Sequence, residues 1–225
     1  MAQATLIDRI ATSLQRRGFA GTAQFAAVRA RDRWDEWLEQ RFDRRYGIDT
    51  CGNRRDMPAA FRGNSYEPVT PRMFRAMIRA ARVPAGRFTF LDYGCGKGRA
   101  VFLAAELGFR RSIGIELNPA LFEVARRNAL AFRRARRGAG AIDIVLGDAT
   151  VFRPPADEDA VLFFYNPFGE ALMAKTVATI EAACREAPRR RVVAYRNPVH
   201  AAVFERSPCF RRLALNRSYA LYSCR

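Results

Sequence analysis

Lysine is nearly missing from this 225-residue chain: Lys97 and Lys175 stand beside 37 arginines. Histidine occurs once, at His200, and the five cysteines at 51, 95, 184, 209 and 224 form no C-x-x-C pair. That poverty of paired ligands excludes a structural zinc site of the usual spacing and leaves no metal to expect. An odd, scattered set of cysteines also excludes a disulfide framework and reads as reduced thiols in a cytoplasmic protein. No apolar run approaches the ~20 residues that span a bilayer, so no membrane partner is expected. The N-terminus lacks the continuous apolar core of a signal peptide. Residues 1–31 carry one acid, Asp8, among many Ala and Arg, a composition near that of a transit peptide. The Trp-bearing helical pattern behind them favours a structured segment instead.

What the chain has in excess is positive charge. The formal net charge is +17, and residues 66–140 alone carry +10. Such an excess is either an electrostatic footprint for nucleic acid or an acidic protein, or the Ala and Arg enrichment of a GC-rich genome. The scarcity of lysine fits the second reading, because nucleic-acid binders ordinarily use both cations.

The most informative run is Phe88-Thr-Phe-Leu-Asp-Tyr-Gly-Cys-Gly-Lys-Gly98. A β-prone stretch enters Asp92, glycines alternate at Gly94, Gly96 and Gly98, and an apolar helical segment follows. This is the strand, tight loop and helix of a nucleotide-binding α/β unit. The NAD fingerprint is not met, because Arg99 fills the place of its third glycine. Asp92, two residues before the first glycine, suits a cationic or amino-bearing ligand better than a pyrophosphate. Cys95 reads as a small side chain that fits the loop. Downstream, Ser112-Ile-Gly-Ile-Glu116 is a second strand ending in an acid placed to accept hydrogen bonds from ribose hydroxyls. Ile142-Asp-Ile-Val-Leu-Gly-Asp148 is a third strand with an acid at its end.

The pattern Asp-x-Gly-x-Gly-x-Gly resembles motif I of the class I S-adenosylmethionine (SAM) methyltransferases. The resemblance implies SAM as cofactor and S-adenosylhomocysteine as product. It implies that Asp92, Gly94, Gly96 and Gly98 seat the methionine moiety, Glu116 the ribose and Asp148 the adenine amine. Tyr66 and Thr70 lie in a lead-in segment that, in related enzymes, folds over the methionine end of SAM. Further on, Phe164-Tyr-Asn-Pro-Phe-Gly169 is similar to motif IV of amino-methylating enzymes, with Phe168 and Gly169 departing from the usual Pro-Tyr. Asn166 and the Pro167 carbonyl are then expected to accept hydrogen bonds from an acceptor N–H and aim its lone pair at the methyl. Phe168, Tyr165 or Tyr195 is expected to stack on or wall the acceptor. His200, in Asn197-Pro-Val-His200, is a candidate substrate-side base, against the plainer reading of a packing residue. Phe42-Asp-Arg-Arg-Tyr-Gly-Ile-Asp-Thr50 and Tyr66-Glu-Pro extend the likeness to a group of bacterial class I methyltransferases of undefined substrate. A more distant likeness is to the seven-strand protein-lysine methyltransferases.

The element pattern predicts an α/β fold: a doubly wound, Rossmann-like seven-strand sheet with an antiparallel C-terminal strand. Residues 1–65 read as an N-terminal helical segment and linker, and residues 66–225 as the methyltransferase domain. Strands are expected near 88–93, 111–116, 141–147, 160–165 and 190–195, with a closing pair over 209–224. Basic stripes are expected on helices 71–82 (Arg72, Arg75, Arg79, Arg82) and 119–137 (Arg126, Arg127, Arg133, Arg134, Arg137). Three functions follow. The first is methylation of a protein amine or other amino nitrogen. The second is methylation of RNA held by the arginine faces, and the third is a non-catalytic binding module on the same fold.

Overall fold

The structure is a computed structural model that describes residues 6–51 and 67–224. Seven strands form one sheet: β1 (Thr89–Tyr93), β2 (Arg111–Glu116), β3 (Ala141–Leu146), β4 (Ala160–Tyr165), β5 (Arg191–Arg196), β6 (Phe210–Leu215) and β7 (Tyr219–Cys224). Their order is β3-β2-β1-β4-β5-β7-β6. The first five run parallel, and β7 is inserted antiparallel between β5 and β6. The fold class read from the sequence is the one found. The winding reverses direction between β1 and β4, and at such a switch point the loops leaving the carboxyl ends part and open a crevice.

Among the described residues six α-helices flank the sheet: α1 (Leu6–Tyr46), α2 (Pro71–Ala81), α3 (Arg99–Glu106), α4 (Pro119–Ala135), α5 (Glu170–Glu186) and α6 (Ala201–Glu205). Within the expected N-terminal helical segment the described residues form α1, interrupted at Gly18 by a non-helical φ of 67°. Alternate residues of each central strand feed two cores, as period-two geometry requires. Phe90, Val161 and Phe163 face α2, α3 and the end of α1, where Phe42, Tyr46, Phe74 and Phe102 are buried. Leu91, Tyr93, Leu162 and Phe164 face α5 and α6, meeting Met173, Ile180 and Phe204. Every residue of β1 is buried. The apolar run of β4 is buried as far as Phe164, and Tyr165 emerges at the rim.

α2 begins as the sequence predicts: the Thr70 hydroxyl accepts from the Met73 N–H at 3.2 Å and Pro71 opens the first turn. Its basic stripe is partly committed within the molecule. Arg72 pairs with Asp35 of α1 at 2.8 Å and Arg75 with Glu106 of α3 at 2.5 Å. Those two ion pairs hold α2 between α1 and α3. On α4, Arg133 donates to the Ile142 carbonyl, while Arg126, Arg127 and Arg134 stay exposed.

Candidate active site

The loop after β1 is shaped by its glycines. Gly94, Gly96 and Gly98 have φ of 90°, 55° and 91°, values that side-chain-bearing residues rarely adopt. Gly94 also has no room for a side chain, since a Cβ there meets the Pro167 Cβ at 2.9 Å. The loop after β1 thus lies against the end of β4. It is tied to β2 as well, because the Gly94 and Cys95 N–H groups donate to the Ile115 carbonyl at 3.0 and 2.9 Å. Glu116 completes the turn, accepting from the Gly96 N–H at 2.7 Å and the Asn118 N–H at 2.8 Å.

At the switch point a cavity of about 350 Å³ opens. Asp92, Gly94 and Gly96 line it from β1 and its loop, Glu116 from β2, and Asp148 from the turn after β3. Tyr165, Asn166, Pro167 and Phe168 line it from the end of β4. Sequence reasoning thus named nine residues that the fold gathers around one space. Three others lie elsewhere. Gly98 is the N-cap of α3, Thr70 caps α2 and lines a neighbouring cavity, and His200 precedes α6 outside both cavities. Tyr66 lies outside the described residues.

Asp92 is buried, and no hydrogen bond or ion pair reaches its carboxyl among the described residues. Burial pushes that carboxyl well above the usual carboxylate range, and the Glu116 carboxylate pushes it further. Burial raises Glu116 too, against the lowering effect of the N–H groups of Asn118, Gly96 and Leu117. Two buried acids facing one cavity, neither paired with a cation among the described residues, form a receptor for positive charge. The cavity therefore fits a ligand such as SAM, which carries a sulfonium and an ammonium beside a polar nucleoside. Asp148 is more open, and its carboxylate accepts from the Thr150 N–H at 2.8 Å. Among the described residues no group of three or more His, Cys, Asp or Glu is placed to hold a metal ion.

At the β4 rim the backbone of Asn166 takes a left-handed φ of 41°, a conformation that Asn tolerates better than most residues. Its carboxamide oxygen accepts from the Tyr195 hydroxyl at 3.4 Å, and that hydroxyl also accepts from the His200 N–H at 3.3 Å. Tyr195, expected as a stacking surface, is instead fully buried against Phe164 and Phe204 and reaches the site through its hydroxyl.

Sequence reasoning missed Arg99 and Glu67. Both line the cavity. Arg99 is 1% exposed, and its guanidinium lies 3.4 Å from Asp43 and donates to the Thr50 hydroxyl. Its Nη1 is buried and has no hydrogen-bond partner among the described residues. Asp43 in turn accepts from the N–H groups of Thr50 and Cys51 at 2.7 and 2.8 Å and from the Thr50 hydroxyl at 2.6 Å. Lys97 reaches the Cys51 carbonyl at 2.9 Å, and Asn128 bridges the carbonyls of Asp49 and Lys97. The turn after α1 is thereby fastened to the glycine loop. The signal for this was the charge of Arg99 inside an otherwise apolar helix start.

Residues 91–189 match the family described as "Methyltransferase domain". No curated protein matches the chain. Among solved structures it is similar to "Putative methyltransferase yhhF from Escherichia coli", at 16% identity and a TM-score of 0.53, covering 71% of this chain and 88% of that one. It is also similar to a "predicted N6-adenine-specific DNA methylase" from Listeria monocytogenes, at 17% identity and a TM-score of 0.52, covering 77% of this chain and 54% of that one.

Proposed function

From the match of residues 91–189 to a methyltransferase domain we propose that the protein is a class I, SAM-dependent methyltransferase that methylates an amino nitrogen held at Asn166. The observation that carries the proposal is the pairing, around one cavity, of an unpartnered buried acid with a left-handed Asn at the strand rim. Asp92 binds the cationic methionine end, Glu116 the ribose hydroxyls and Asp148 the adenine amine. The buried Nη1 of Arg99 complements the methionine carboxylate. When bound, SAM supplies an electrophilic methyl on sulfur.

Asn166 and the Pro167 carbonyl accept hydrogen bonds from the acceptor N–H, and the Tyr195 hydroxyl fixes the Asn166 carboxamide. Orientation of this kind supplies most of the rate, since it leaves little for proton chemistry to do. The nitrogen lone pair forms the N–C bond as the C–S bond breaks with its electrons on sulfur. An acceptor that arrives as an ammonium gives one proton to solvent before the attack, because only the neutral amine carries the lone pair.

A protein amine is the favoured acceptor. The second reading is RNA, for which the exposed Arg126, Arg127 and Arg134 on α4 speak. Labelled methyl from SAM, offered to a lysate of the source organism with Asn166→Ala as control, decides between them. Protease-sensitive label that is absent with the variant supports a protein amine. Nuclease-sensitive label transfers the function to RNA. Retained SAM binding with no label in protein, RNA or small molecules leaves the non-catalytic module.

A further inference from the structure

A second cavity, of about 690 Å³, adjoins the first and shares Glu67, Pro68 and Tyr165 with it. One wall is the C-terminal half of α1, and the others are the residues leading into α2 and the rim of β4 and β5. A molecule in this space meets the β4 rim at Tyr165, next to Asn166. Its volume falls in the range of sites that enclose a side chain or small ligand, roughly 300–1,000 Å³.

The charge of this wall runs against that of the whole chain. Asp32, Asp35, Glu36 and Glu39 stand three and four residues apart on α1, so they share one helical face. Glu67 adds a fifth carboxylate at the junction of the two cavities. Three cations, Arg31, Arg72 and Arg196, stand among these five acids, and two of them are already engaged. Arg72 is paired with Asp35, and Arg196 donates to the Ser218 carbonyl at 2.6 Å while lying 5.3 Å from the Tyr165 ring centroid. Among the described residues no ion pair or hydrogen bond reaches Asp32, Glu36 or Glu39, and burial pushes the half-buried Glu39 carboxyl up to about 7 against the pull of the Arg99 charge. A phosphate backbone meets repulsion on such a wall and an ammonium meets attraction. The Tyr165 ring, which already accommodates one guanidinium, offers an aromatic face to a second cation.

We infer that this cavity is the acceptor channel and that it selects a cationic alkylamine, an inference that rests on the transferase reading of the first cavity. The N-terminal helix is then part of the active site: α1 supplies the charge that chooses the acceptor. The same chemistry is offered by a lysine side chain and by a free polyamine.

The test titrates the full chain, with and without S-adenosylhomocysteine, with tri-lysine, spermidine and oligouridylate at physiological salt. Tri-lysine or spermidine binds, and Asp32→Asn/Glu36→Gln/Glu39→Gln weakens that binding by about tenfold or more. The triple variant keeps wild-type affinity for S-adenosylhomocysteine and wild-type unfolding temperature. As a gain-of-function check, Arg31→Glu tightens the same probes. Preference for tri-lysine assigns the channel to protein side chains, and equal or better binding of spermidine assigns it to free polyamines. Cation binding that is absent, or indifferent to both variants, overturns the inference, as does competition by oligouridylate. Cofactor binding that survives in those cases keeps the transferase reading intact. Failure of the wild type to bind S-adenosylhomocysteine overturns both.

Discussion

Asp92 is the residue on which charge and stability pull in opposite directions. With burial and Glu116 both raising its proton affinity, the folded state favours the neutral carboxyl. Its contribution to folding is complete below the ordinary carboxylate range and is lost as pH rises through the raised value. A cationic ligand reverses the preference by stabilising the carboxylate. Affinity for SAM is therefore expected to increase as pH rises from acidic to neutral, with proton release on binding. Calorimetry in buffers of different ionisation enthalpy checks this, and affinity that falls with pH contradicts it. Asp92→Asn removes the buried charge and keeps the shape. It is expected to lower SAM affinity by about tenfold or more while leaving the unfolding temperature equal or higher. Loss of both together points to a purely structural Asp92. The acid was legible because it stands two residues before alternating glycines. Its lack of a partner was not, since that depends on Glu116 arriving from another strand. Tyr195 shows the opposite case: an aromatic near a strand end reads as a stacking surface, and only packing against Phe164 and Phe204 reveals that its hydroxyl is what reaches Asn166.

At the scale of elements, the turn after α1 and the loop after β1 behave as one unit. Asp43 and Arg99 are both buried, and four contacts converge on Asp43 from Thr50, Cys51 and Arg99. Removing one member strands the other charge in the interior, a change that costs about 3–5 kcal/mol. Asp43→Ala is thus expected to lower the unfolding free energy by that amount in denaturant titration and to weaken SAM binding with it. A loss below about 1 kcal/mol means the pair is solvated and the fastening is weak. The strands and helices themselves were readable within a few residues from period and caps: Thr70-Pro71 and Asn118-Pro119 open helices where the sequence places them. The Asp43–Arg99 fastening was not readable, because 56 residues separate its partners and neither segment's pattern points to the other.

The whole molecule carries +17, yet its charge is sorted. Acids line the two adjoining cavities, and exposed arginines lie out on α4, where Arg126 pairs with Glu123 at 3.0 Å. Composition reports the sum and hides the sorting, which is why the chain's basicity alone leaves its acceptor open. If the acceptor is an amine, Arg126→Ala/Arg127→Ala/Arg134→Ala leaves the methyl-transfer rate within about twofold of wild type, as expected of surface positions remote from a site. A loss of an order of magnitude, together with a shallower salt dependence of RNA binding, restores the RNA reading. No helix among the described residues is long and apolar enough to cross a membrane. The claim on which the rest depends is that the cavity at the switch point holds SAM through Glu116 and its neighbours. Titration of wild type and Glu116→Gln with SAM tests it directly. One site is expected in the wild type and affinity about tenfold or more weaker in a variant that still folds, whereas equal affinity in the two proteins contradicts SAM binding through Glu116.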